Sequence, residues 1–535
     1  MGKITLRQAL SVLDKSSPYS VSTLRLDEPN EWLKIKNYLY VSSQIEFDFQ
    51  NALVNAKSGD LFFLCGSSGD GKSEILTRLH KQFENKIRFH LDATHSKKQH
   101  STAVDCLNEL FDQYKQTQCI LAIGINIGMM QKFIKFGDQR HNDIKDYLNK
   151  FFEKEKVSPF SIEHVQFFDF EDYPRLDFHN NTITSPFVSE FIHKLTEQSD
   201  SNPFWKAYLN DLEEHNISAH NYKLLLNKTV QRNLIKIFGL IRLYNKQFLT
   251  PRVFVDFMYK LIVTEHQDGL IGNLFSSLDN DISEKIVNLD PNKIRNKEID
   301  DFNLAYSTRT LSDEDKAYIG YLNQLSGITL SLKGLIQLAY LMKDDDNKYS
   351  SQLSNAFNNK EKEYYLKLIQ IYNADEISSD DKAILDEIIT KIFIDAIYKY
   401  VNRHLPKSSD NYIITRELPH YFISSKADIY YDFNWIKQYE LVRTNSIPIP
   451  LIINDQDPII FNLDITQLAL ALKIHNGFLP NRQKQDELSQ FEEFISEIIK
   501  KIKDVEDIQL VNKQDKAITK IVKKRSGYSI KENVI

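Results

Sequence analysis

Apolar residues recur at helical spacing through Leu6, Leu10 and Leu13, then through EWLKIKNYLYV and QIEFDFQNALVNA, so residues 1–58 are expected to form a helical lead-in. The pattern then shortens. DLFFLC is a continuous apolar run of strand length, whereas KSEILTRLHKQFE returns to helical spacing through Ile75, Leu76 and Leu79. IRFHLDATHS reads as a second strand, VDCLNELFDQYKQ as a helix and CILAIGINIG as a third strand. HNDIKDYLNKFFEKEK reads as a charged helix and HVQFFDFED as a fourth strand. Strands alternating with helices over residues 59–185 predict an open, largely parallel sheet buried on both faces.

From about residue 185 long amphipathic patterns take over. In LTPRVFVDFMYKLI, Thr250 can cap, Pro251 suits the first helical position, and Val253, Phe254, Phe257 and Leu261 share a face. A lid-like helical segment is expected over 186–270 and a helical domain over 271–430, with DDD at 344–346 and SSDD at 378–381 as loops or helix starts. Residues 431–535 read as an α+β segment: IPIPLIINDQDPIIFNLDI as a hairpin around NDQD, FEEFISEIIKKI as a helix, and the last twenty or so residues as a basic tail. The expected class is therefore α/β plus α, a P-loop NTPase domain of AAA-like type with large helical domains.

Composition sharpens this. Only 16 glycines and 14 prolines in 535 residues favour helices over many tight turns. With 42% hydrophobic and 26% charged residues the chain is globular, and its net charge of −6 gives no global attraction to nucleic acid, so DNA contact would need a local basic patch. Lys513, Lys516, Lys520, Lys523, Lys524 and Arg525, with Tyr528 nearby, are the candidate patch; a solvated basic helix end is the equal alternative. Cys65, Cys106 and Cys119 lie in apolar stretches without ligand spacing and read as reduced, buried thiols. No apolar run reaches the roughly 18–20 residues of a membrane-spanning helix and no secretory leader is legible, so a cytoplasmic protein without a membrane role is expected.

The chemistry centres on GSSGDGKS, residues 66–73, which matches G-x-x-x-x-G-K-[ST] between a strand and a helix. Gly66, Ser67, Ser68, Gly69, Asp70 and Gly71 are expected to cradle phosphates, Lys72 to reach the terminal phosphates of ATP, and the Ser73 hydroxyl to bind Mg2+. Hydrolysis also needs an acid at a neighbouring strand end. The third strand offers Asn126 instead, a weaker partner for Mg2+ but able to orient water. The available acids are Asp92 and the trio Asp169, Glu171 and Asp172, each equally readable as a cap or solvated loop residue. Asp92 is preferred as the Mg2+ ligand, because ligands of open α/β sheets sit at strand carboxyl ends. Arg252 and Arg232 are candidates for stabilising transferred charge. A zinc site at His90, Asp92 and His95 is disfavoured for want of a fourth ligand.

Across most of the chain, LRQALSVLDKSS, LCGSSGDGKSEIL, HLDATHS, AIGINIGMM, TPRVFVDF, LDPNKIRNKEIDDF and NGFLPNR occur in an order that resembles the DptF family of DNA phosphorothioation-dependent restriction proteins. That resemblance implies ATP binding at Gly66 through Ser73, partnership with DptG-like and DptH-like proteins, and a bacterial defence role in restricting DNA that lacks backbone sulfur. No nuclease motif is legible, so cutting is expected of a partner. The alternative is a nucleotide-bound scaffold or sensor with little or no hydrolysis, which Asn126 in place of an acid favours.

Overall fold

A computed structural model describes residues 4–17, 31–91, 102–153, 159–179, 182–211, 216–245, 250–294, 296–344, 349, 351, 353, 356–357, 360–405, 411–436, 438, 446–480, 485–503, 505, 507–515, 517–524 and 527–533. The chain is mixed α/β and predominantly helical. It divides into two compact units: Met1–Asp177 with Thr184–Ile241 and Phe248–Phe357, and Phe178–Ile183 with Arg242–Gln247 and Asn358–Ile535.

The first unit opens with three helices, α1 (Leu6–Leu10), α2 (Glu31–Tyr38) and α3 (Gln44–Val54). They precede the strands β1 (Leu61–Gly66), β2 (Ile87–His90), β3 (Ile120–Asn126), β4 (Phe160–Ile162) and β5 (Val165–Asp169), paired in the order β2-β3-β1-β5-β4. All pairings are parallel except the short hairpin β4–β5 at the edge. Between the strands run α4 (Lys72–Phe83), α5 (Ala103–Thr117), α6 (Ile127–Phe136) and α7 (Asn142–Phe152).

The sheet is buried on both faces, which is why β1 is apolar without alternation: all six of its residues are buried. Leu61, Phe63 and Cys65 face one core with α5, α6 and α7; Phe62 and Leu64 face another with α3 and α4. Phe63 stacks on Phe167, centroids 5.0 Å apart, and tilts against Phe111 at 6.4 Å. On the opposite face Phe49 of α3 meets Phe62 and Phe168 edge-on, at 6.3 Å and 5.1 Å.

The third strand is shorter than the run CILAIGINIG suggests. Asn126 accepts a hydrogen bond from the Met129 N–H (2.6 Å), and this cap starts α6 at Ile127, so Ile127 and Gly128 are helical. The rest of the unit is helical, with α8 (Pro186–Thr196), α9 (Pro203–Asp211), α10 (Ile217–Leu225), α11 (Lys228–Asn245) and α12 (Pro251–Ile262) leading into further helices. Thr250 caps α12 and Pro251 opens it, as the pattern predicts. No described helix is long and apolar enough to cross a membrane.

The second unit carries a two-stranded ladder, β6 (Asp177–His179) with β7 (Thr182–Thr184). Its other strands are β8 (Tyr412–Glu417), β9 (Tyr421–Lys426), β10 (Ile429–Tyr430), β11 (Ile447–Ile453), β12 (Ile459–Leu463), β13 (Asp507–Asn512), β14 (Ile518–Lys524) and β15 (Gly527–Asn533). The hairpin at NDQD forms between β11 and β12, with Asn454 and Asp455 at positive φ. SSDD at 378–381 is a helix start, where Ser378 and Asp381 make a reciprocal capping box; of DDD, 345 and 346 lie outside the described residues.

The tail is no helix end. Lys520, Lys523 and Lys524 lie on β14 of an antiparallel sheet ordered β15-β14-β13-β9-β8, between β13 and β15, and Lys513 follows β13; Lys516 and Arg525 lie outside the described residues. Lys513 pairs with Glu417 (2.6 Å) and Lys520 with Asp507 (3.4 Å), so these two charges are neutralised within the sheet.

Candidate functional site

The site lies at the carboxyl end of β1. In parallel register Gly66 stands opposite Asn126 of β3, and on the other side Cys65 stands opposite Asp169 of β5. The loop then turns through Gly69 (φ +87°) and Gly71 (φ +100°) into α4, left-handed conformations that side chains other than glycine adopt at a cost. Gly71 has nothing within 4 Å of where a Cβ would project, whereas a Cβ on Gly69 would come within 3.2 Å of Arg252 Cβ and 3.3 Å of Thr250 Oγ1. The loop therefore turns between open space and the start of α12. The Arg252 N–H also donates to Gly69 O (3.4 Å).

A cavity of about 420 Å³ opens onto this loop. Its polar lining includes Ser68, Asp70, Lys72, Ser73, Asn126, Arg175 and Arg252. Its apolar lining includes Leu13, Leu39, Val41, Phe187, Phe191 and Val255. A mostly apolar cavity with a few charged and polar side chains in its wall is the arrangement expected of a small-molecule site. The glycine loop, the open space at Gly71 and the amino end of α4 together fit a polyphosphate.

Within the loop, Lys72 Nζ donates to Ser67 O, and the Ser67 N–H donates to Asp70 Oδ2. Ser73 Oγ is 3.4 Å from Leu91 O, its hydrogen-bond acceptor. The close approach of that chain end depends on Gly124 in β3, where a Cβ would lie 2.6 Å from Leu91 O and 2.8 Å from Leu76 Cδ1. Asp92, the residue after Leu91, and His95 lie outside the described residues.

Other expected participants are sorted by the geometry. Asn126 lines the cavity while its side-chain oxygen caps α6. Asp169 is buried and accepts from the Glu171 N–H (3.1 Å), capping the short turn Phe170–Asp172; neither it nor Glu171 nor Asp172 lines the cavity. Arg252 lines the cavity with an exposed side chain. Arg232 does not: it is exposed on α11 and bonds Thr229 Oγ1 (3.1 Å).

Sequence reasoning missed two contributors. The first is the lead-in, which supplies part of the cavity wall. It is held by the buried Asp256 of α12, which accepts from the Lys15 N–H (3.0 Å), and by Asp211, which accepts from the Leu6 N–H (2.7 Å). Lys36 of α2 pairs with Glu74 (3.1 Å), which also pairs with Arg78 (2.7 Å), and Arg78 lies over the Tyr40 ring at 3.4 Å. Burial, helped by the hydrogen bond to Glu46 (2.6 Å), pushes the Tyr40 phenol far above its ordinary range.

The second is Arg175, after β5. It donates to Asp70 O (2.7 Å) and pairs with Asp70 Oδ1 (3.3 Å), with its guanidinium over the rings of Phe170 (5.2 Å) and Phe187 (5.8 Å). Burial pulls its pKa below the ordinary value and Asp70 pushes it back up. Nothing in YPRLDF marks Arg175 in advance, since its partner is 105 positions away.

No family model, curated protein or solved structure matches this chain.

Proposed function

We propose that this chain is the ATP-binding P-loop ATPase subunit, AAA-like in class, of a bacterial phosphorothioation-dependent DNA restriction system. In that role it couples nucleotide binding or hydrolysis to restriction of unmodified DNA. The observation that carries the nucleotide reading is the loop Gly66–Ser73 at the carboxyl end of a parallel strand, opening on a 420 Å³ cavity of the polarity a nucleotide needs. The restriction role, with DptG-like and DptH-like partners, rests on the ordered motifs that resemble the DptF family.

MgATP, once bound, supplies the phosphoanhydride and a cation that neutralises developing charge. The chain's own part is positioning. Loop N–H groups and the amino end of α4 hold phosphate, Lys72 leaves Ser67 O for the terminal phosphates, and Ser73 is the hydroxyl for Mg2+. Asn126 and Arg252 both line the cavity; in this reading Asn126 would orient water and Arg252 would meet developing charge. Asp92 is the proposed carboxylate for Mg2+.

The second reading, a nucleotide-bound scaffold or sensor, draws on the same strand end. Asn126 is neutral, its oxygen is engaged by the Met129 N–H, and Asp169, Glu171 and Asp172 are not among the residues that line the cavity. Binding of MgATP and release of phosphate, measured alone and with DNA and partner proteins, separate the two. Lys72→Ala is expected to weaken MgATP binding about 100-fold, since a lost charged contact to phosphate costs roughly 3 kcal/mol. Asp92→Ala is expected to stop turnover with binding retained. ATP binding without turnover under every condition assigns the scaffold role instead.

A further inference from the structure

A carboxylate in a loop built for polyanions opposes its own ligand. Asp70 is such a group, the fifth residue of the loop, and its side chain is 7% exposed. It is folded back towards β1, so that a Cβ on Gly66 would lie 2.7 Å from its Oδ2. There it does two things: it occupies the Ser67 N–H, a donor on the phosphate loop, and it carries a negative charge beside the cavity. Arg175 answers the second. Its side chain is 16% exposed, it lines the same cavity, and it holds both the carboxylate and the backbone carbonyl of Asp70.

We infer that Asp70 and Arg175 form an electrostatic latch on the phosphate loop: Asp70 restrains binding by charge and by holding the Ser67 N–H, and Arg175 is the positioning residue that cancels this penalty. The inference rests on the nucleotide reading of the loop. It gives the two partners effects of opposite sign, although both stabilise the fold. Removing Arg175 leaves a bare carboxylate beside the phosphates. Replacing Asp70 with Asn leaves a guanidinium beside them and a weaker hold on the Ser67 N–H. A pair that only props up the loop predicts losses from both.

The test is titration of the full-length chain with MgATP, MgADP and AMP, at low and high salt, with melting temperatures recorded alongside. Arg175→Ala is expected to weaken MgATP about tenfold, MgADP less and AMP hardly at all, a grading by phosphate charge that a distorted loop does not give. Asp70→Asn is expected to tighten MgATP about threefold at low salt, with the gain fading as salt screens it, while its melting temperature falls because a buried charge has lost its partner. The pair of substitutions together returns affinity to within about threefold of wild type. Should Arg175→Ala fail to fold, the sign of the Asp70→Asn effect still decides. Weaker MgATP binding by Asp70→Asn, or an equal loss for all three nucleotides in Arg175→Ala, overturns the latch while leaving the nucleotide site standing. If the wild-type chain binds no MgATP, or binds it equally well with Lys72→Ala, the reading of the loop falls, and the latch with it.

Discussion

The parallel sheet of the first unit and the antiparallel sheet of the second bury their residues in different ways. Every residue of β1 is buried, because helices cover both faces, and the polar groups appear only where the strands end. In the sheet β15-β14-β13-β9-β8, by contrast, β13 alternates buried Gln509 and Val511 with half-buried Ile508 and Leu510, and Tyr528 and Ile530 of the outermost strand are 70% and 64% exposed. One sheet concentrates polarity at an edge, where a ligand can be held; the other spreads it over a face, where Lys–Glu and Lys–Asp pairs absorb it. The difference is why a candidate site is drawn from the strand ends of the first sheet and not from the described lysines of the second.

Substitutions can break that comparison. The largest effect is expected of Phe63→Ala, which removes a ring 0% exposed and stacked on Phe167, for a loss of about 3–5 kcal/mol in a denaturant titration. A loss below about 1 kcal/mol would contradict the two-sided burial. Next is Asn126→Ala, at the polar end of the same sheet. Loss of the α6 cap is worth about 1 kcal/mol. Under the ATPase reading phosphate release falls as well while MgATP affinity holds; unchanged release limits Asn126 to capping.

A smaller, pH-dependent effect belongs to His141, 0% exposed against Phe111 and Phe133, at 5.8 and 6.3 Å. Burial lowers its pKa from 6.5; Lys115 and Arg140 add to this, while Asp112 and a backbone contact at Asn108 oppose it. The unfolded chain therefore takes up the proton first as pH falls below about 6.5, and stability drops from there towards the lower folded value. The fall in melting temperature between pH 7.5 and 5.5 is expected to be smaller in His141→Phe than in wild type; equal falls exclude the residue. The least effect is expected of Ile530→Ala on the outer strand, within about 0.5 kcal/mol. A larger cost there would mean that this face is covered.

The parallel sheet was legible because its signals are local: DLFFLC is apolar without interruption, GSSGDGKS punctuates it, and KSEILTRL restores helical spacing within a few residues. The caps at Thr250 and Ser378 and the turn at Asn454–Asp455 were legible for the same reason, since each partner lies within three residues. The division between β3 and α6 is less plain, because Ile127 and Gly128 continue the apolar run and only the Asn126 cap separates strand from helix. The strands of the basic tail were not legible, because ITKIVKK, residues 518–524, lacks the period-2 alternation of a half-buried strand and pairs as one only beside β13 and β15.

By itself, then, the sequence determined the glycine loop and the strand and helix that carry it, since backbone freedom at Gly69 and Gly71 is a property of eight consecutive residues. Tertiary structure alone decided what surrounds them. It brought Asn126 rather than Asp169 to the cavity, added Leu13 and Leu39 of the lead-in to its wall, and set Arg175 against Asp70 from 105 residues away. Such contacts depend on strand order and helix packing, and these follow from the burial of two whole faces of a sheet, to which no single stretch of sequence holds the key.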